Sequence, residues 1–93
     1  MHFDFPAATL VARRAHVGVV ASGDLEVLIE PAKDQTARIA VTTAIRGYGV
    51  VWRSVIERFL ARHGAAAVIE INDFGATPGV VMLRLEQALE ASR

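Results

Sequence analysis

Ninety-three residues make one domain, 1–93, with an expected radius of gyration of roughly 12 Å. Apolar types form 53% of the chain and charged types 22%, which excludes disorder, and ten basic residues balance ten acidic ones. A neutral chain lacks the basic footprint of a nucleic-acid or anionic-membrane binder, and the lack of cysteine excludes disulfides, thiolate metal sites and a cysteine nucleophile.

Phe3-Asp4-Phe5-Pro6 opens the chain as an extended lead-in, with Phe3 and Phe5 on one face and Pro6 as its stop. No basic region followed by an apolar stretch begins the chain and no apolar run nears the roughly 20 residues of a membrane span, so the expectation is a cytoplasmic protein. Residues 15–21, rich in valine, predict a strand. Ser22-Gly23-Asp24 is a turn signal, and Leu25, Val27 and Ile29 then alternate with Glu26, Leu28 and Glu30 up to Pro31. Together they predict a β-hairpin with Ser22-Gly23 at its tip.

Ile39, Val41 and Thr43 mark a further strand. Beyond Gly47-Tyr48-Gly49, Trp52, Val55, Ile56, Phe59 and Leu60 recur at helical spacing, which places Trp52 and Phe59 in the core and makes Gly64 the C-terminal stop. Ala67, Ile69 and Ile71 predict one more strand, and Thr77-Pro78 predicts an N-cap and first turn for a closing helix with Val81, Leu85, Ala88 and Leu89 inside. The order β-β-β-α-β-α, with one apolar face per strand, predicts an α+β two-layer sandwich: a mostly antiparallel sheet with both helices on one face. The bare face should carry Glu26, Leu28, Glu30, Arg38, Ala40, Thr42 and Glu70.

Little in this pattern is catalytic. His2, His16 and His63 lack metal-ligand spacing, and His63 is placed to meet the negative end of its helix. Asp73-Phe74-Gly75 spells the metal-binding tripeptide of protein kinases without the loop, strand lysine and catalytic loop that give it meaning, so it reads as a turn. Free amides opening the last helix could hold an anion, but Thr77-Pro78 reads first as a plain helix cap. Ser22 stands apart. Its hydroxyl sits on a tip, Gly23 beside it leaves room for a foreign active site, and two strands stiffen the base. No base lies at catalytic spacing, so it reads as an attachment point and not a self-activated nucleophile.

Two blocks, Ser22-Gly23-Asp24-Leu25-Glu26-Val27-Leu28-Ile29-Glu30-Pro31 and Asn72-Asp73-Phe74-Gly75-Ala76-Thr77-Pro78-Gly79-Val80-Val81 with the following Leu83-Arg84-Leu85-Glu86-Gln87-Ala88-Leu89-Glu90, strongly resemble the delta subunit of malonate decarboxylase. That family supplies the acyl carrier of the biotin-independent bacterial enzyme and is more distantly similar to the citrate lyase carrier. The resemblance runs from Phe3 to Glu90, and between residues 32 and 66 it rests on pattern alone. It implies a covalent 2′-(5″-triphosphoribosyl)-3′-dephospho-CoA group, joined by a phosphodiester to Ser22, with Gly23 and Asp24 completing the site. On its terminal thiol the arm would carry acetyl and malonyl groups as thioesters. Implied partners are an acetyl-CoA/malonate transferase-type alpha subunit, decarboxylase subunits and a holo-acyl-carrier synthase. The chain itself would be a non-catalytic phosphoprotein subunit. Ordinary acyl carriers place Asp-Ser-Leu at a helix start; here aspartate follows serine inside a hairpin, which argues against a four-helix carrier. The rival reading is a cofactor-free α+β regulatory or protein-interaction domain.

Overall fold

The computed structural model describes residues 1–45 and 47–93. Six strands and two helices follow in the order β1 (His2–Pro6), β2 (Thr9–Leu10), β3 (Ala15–Gly18), β4 (Leu25–Pro31), β5 (Thr36–Thr43), α1 (Gly49–His63), β6 (Ala65–Asp73) and α2 (Pro78–Ala91). The α+β sandwich expected from the alternating segments is present, and the radius of gyration is 11.9 Å.

The main sheet runs β1-β5-β6-β4-β3. All its neighbours are antiparallel except β5 and β6, which lie parallel at the centre because α1 carries the chain back to the starting end. Leu25, Val27, Ile29, Ile39, Val41, Ile69 and Ile71 point to one side and are buried. They meet Trp52, Val55, Ile56 and Phe59 of α1 and Val81, Leu85, Ala88 and Leu89 of α2. The α2 helix packs over β3 and β4 and against α1, while Arg53 of α1 lies over the rings of Phe3 and Phe5 at 5.3 and 5.5 Å. On the opposite side, Glu26, Leu28, Glu30, Arg38, Ala40, Thr42 and Glu70 form the uncovered face in the expected register, and none of them is fully buried.

Four features differ from the sequence expectation. The lead-in is a true edge strand: β1 pairs with β5 from His2 opposite Ala40 to Pro6 opposite Thr36. Residues 9–10 add a short parallel pairing to Ala65 and Ala66. The strand expected over 15–21 stops at Gly18, whose φ is 82°, and a Cβ there would fall 2.0 Å from the Leu25 carbonyl oxygen. The hairpin therefore stands, but its tip is the longer loop 19–24. His63 lies in the last turn of α1 as expected, but it also reaches beyond its own helix: its ring tilts against Phe59 at 5.1 Å, and Nε2, without a hydrogen-bond partner among the described residues, lies 3.9 Å from Glu86 of α2. No helix among the described residues is long and apolar enough to cross a membrane.

Candidate functional site

The sheet register brings three loops to one end of the molecule. Thr43 pairs with Asp73, Asp73 with Leu25, and Gly18 with Glu26. The chain segments that follow Gly18, Thr43 and Asp73 therefore all leave from the same end of the sheet.

Within the first loop, the Asp24 amide donates to the Ala21 carbonyl at 3.0 Å. This closes a four-residue turn with Ser22 and Gly23 at its centre. Gly23 has φ 79°, the value a type II turn requires at its third position and one that costs glycine nothing. Ser22 is exposed. A Cβ on Gly23 would meet nothing within 4 Å apart from the adjoining residues, so the space beside the exposed serine is open on that side. The other serines differ: Ser54 is exposed but sits mid-helix in α1, and Ser92 is buried with its hydroxyl donating to the Leu89 carbonyl.

The turn is held from two directions. Gly23 N–H donates to the Phe74 carbonyl at 2.8 Å and Phe74 N–H donates to the Asp24 carbonyl at 2.9 Å, which ties the loop to the chain after β6. That second loop is set by Asp73. Its buried carboxylate accepts from the Thr43 hydroxyl at 2.8 Å and from the Ala76 amide at 3.0 Å, so the apparent kinase tripeptide is a turn built around an inward aspartate. Thr77 then caps α2 by accepting from the Val80 amide at 3.3 Å, which occupies one of the amides an anion would have used.

The second restraint is ionic. Arg84, on α2, donates from Nε and Nη2 to the two carboxylate oxygens of Asp24 at 3.1 and 2.8 Å, and the Leu25 amide donates to the same carboxylate at 2.7 Å. A two-point guanidinium contact fixes orientation as well as position. Nothing in local spacing foretold this partner sixty residues away. The Arg84 hydrogen bonds, followed by that of the Leu25 amide, hold the Asp24 carboxyl below its ordinary value. A depressed carboxyl contributes stability that is complete above its unfolded pKa, about 4, and is lost as pH falls through the lower folded value. Asp24→Asn should therefore melt below the parent at neutral pH. The gap should close in acid, as thermal scans from about pH 6 to below pH 3 would record; a gap constant with pH would remove Asp24 from the turn's support.

Around the turn the surface is apolar. Val19, Val20, Ile45, Tyr48 and Phe74 are all exposed at this end of the sheet. On the bare face just beneath, Glu26 accepts from Asn72 at 2.8 Å and pairs with His16 at 3.0 Å. Ser22 and Gly23 form the exposed centre of this turn, and Asp24 closes it. Arg84, Asp73 and Thr43 join them as positioning residues that sequence reasoning did not assign.

The two blocks that set this chain apart as a sequence are the two that meet in space, one carrying the serine turn and the other bracing it. The family model for the malonate decarboxylase delta subunit (MdcD) matches residues 12–92. The chain is 54% identical over 89 residues to the malonate decarboxylase acyl carrier protein of Pseudomonas aeruginosa strain PAO1, covering 95% of this chain and 90% of that one. It is 50% identical over 91 residues to that of Azotobacter vinelandii, covering 97% and 92%. A crystal structure of a Pseudomonas malonate decarboxylase hetero-tetramer in complex with malonate contains a chain that superposes with a TM-score of 0.94 at 46% identity, over 100% of this chain and 97% of that one. The chain belongs to the malonate decarboxylase acyl carrier protein family.

Proposed function

We propose that this protein is the acyl carrier subunit of a biotin-independent malonate decarboxylase, loaded at Ser22 with the phosphoribosyl-dephospho-CoA group. One observation carries the reading: an exposed serine on a type II turn pinned at the end of the sheet by Arg84 and by the 73–76 loop. The residues present fit such a group. Open space over Gly23 admits a bulky phosphodiester, and the turn's backbone is already tied down, so attachment orders little that was loose. The neighbouring Asp24 is committed to Arg84 and the Leu25 amide, which leaves the hydroxyl without a base of its own. A modifying enzyme must therefore supply the base that takes the Ser22 proton.

When attached, the group supplies the thiol that a cysteine-free chain lacks. The protein's part is to present that arm from a stiff base to a transferase-type alpha subunit and to decarboxylase subunits. The exposed apolar side chains around the turn are the surface on which these partners, and the holo-acyl-carrier synthase, would close. A cytoplasmic site of action fits such partners.

Intact mass distinguishes this reading from a cofactor-free interaction domain. Protein isolated with its decarboxylase partners should weigh more than its sequence by one prosthetic group; a mass equal to the sequence after incubation with the synthase and precursor would sink the carrier reading. Gly23→Val probes access separately. Holding a branched residue at φ 79° costs about 1–3 kcal/mol, while its Cβ would have no heavy atom beyond the adjoining residues within 4 Å. Loading should slow far more than stability falls, as a time course of mass gain beside a melting curve would read.

A further inference from the structure

A second feature opens at the same end of the molecule. A cleft of about 320 Å³ lies between the starts of α1 and α2, lined by Tyr48, Trp52, Val55, Asp73, Ala76 and Val81. Its walls are aromatic and aliphatic apart from Asp73. That carboxylate is buried, and among the described residues each of its oxygens accepts a single side-chain or backbone bond, from Thr43 or from Ala76. A carboxylate oxygen has two acceptor positions, so Asp73 keeps capacity for a further donor.

The cleft is within reach of Ser22. The position of a Cβ on Gly75 is 4.0 Å from Gly23 Cα. One chain step on either side then puts the Cα atoms of Ser22 and Ala76 no more than about 13 Å apart. In the group proposed for Ser22, a phosphate and two linked riboses separate the serine oxygen from an adenine base, a span of the same order.

We propose that this cleft holds the adenine base of the arm carried by Ser22; the inference rests on the carrier reading and deepens it. A purine is no larger than the indole of Trp52, and its faces suit the half-exposed ring of Tyr48. Its exocyclic amine is a donor matched to the spare acceptor capacity of Asp73. Tethering makes even a weak contact effective, since a short linker gives an effective concentration in the millimolar range. Holding the base anchors the near half of the arm. The pantetheine end stays free, and its thiol is confined to the end of the molecule where the exposed apolar side chains gather.

Trp52 is the sole tryptophan and reports on the cleft directly. Apo protein and protein loaded by the synthase, with loading verified by mass, are compared by fluorescence. The loaded form should lose Trp52 emission through contact with the base. Free AMP at on the order of 10 mM, added to the apo protein, should reproduce part of that loss, since it brings the same base without the tether. Tyr48→Ala, once loaded, should emit as its own apo form does, whereas Tyr48→Phe should keep the loss. Fully loaded protein with apo-like emission, or a Tyr48→Ala protein that retains the loss, overturns the docking and leaves the carrier reading intact. Protein that gains no mass overturns the carrier reading, and the docking with it.

Discussion

Replacing Ser22 with alanine should leave the protein folded and deprive the reconstituted decarboxylase of activity. The side chain is exposed and its turn is held by backbone hydrogen bonds and by the Asp24–Arg84 pair, none of which uses the serine oxygen. Stability should move by no more than about 0.5 kcal/mol. Decarboxylation should nevertheless fall to background, because the turn offers the arm no other hydroxyl. Ser54 offers no substitute: it lies mid-helix, outside any turn, and Ser92 is buried. Malonate-dependent release of carbon dioxide, measured beside a melting curve of the same Ser22→Ala protein, separates loss of loading from loss of fold.

Phe59→Ala should have the opposite profile. Phe59 is 1% exposed, among the largest fully buried side chains, and it belongs to the core that α1 presses onto the sheet. Truncation should cost about 3–5 kcal/mol from lost burial and the cavity left behind. That is a large fraction of the total at this chain length. The variant should be partly unfolded at assay temperature, and what remains folded should still accept the prosthetic group, since the turn is at the edge of the sheet and not in this core. Denaturant titration followed through Trp52 measures the loss. A midpoint close to the parent's would mean that α1 buries a different face.

Period-two and helical spacing were enough to place β4, β5, β6, both helices and the uncovered face, because burial on one side writes itself into alternate or every third and fourth residue. Ser22-Gly23 was legible as a turn for a local reason: only glycine accepts φ 79° without strain. What escaped was long-range. Two-residue β2 is too short for any period, and the central parallel pairing of β5 with β6 depends on how α1 returns the chain, which no window of residues encodes. The run of valines after Gly18 continued a strand-like composition across a backbone break. There a glycine conformation and the close Leu25 carbonyl, not side-chain type, end the strand. Asp24 was foreseen as a member of the site, yet its partner Arg84 lies on another element and looks in sequence like any polar residue on a helix. Asp73 was hidden differently. It was read only as part of a turn, whereas it is 4% exposed and organises the loop that braces the serine.

The central claim, attachment at Ser22, has a direct test in peptide mass mapping. Trypsin releases Ala15–Lys33 by cutting after Arg14 and Lys33, and Ser22 is the only hydroxyl-bearing residue in that peptide. After incubation with the holo-acyl-carrier synthase and its precursor, Ala15–Lys33 should carry the whole added mass, and the matching peptide of Ser22→Ala should carry none. Added mass on any other peptide, or on the Ser22→Ala peptide, would contradict the assignment.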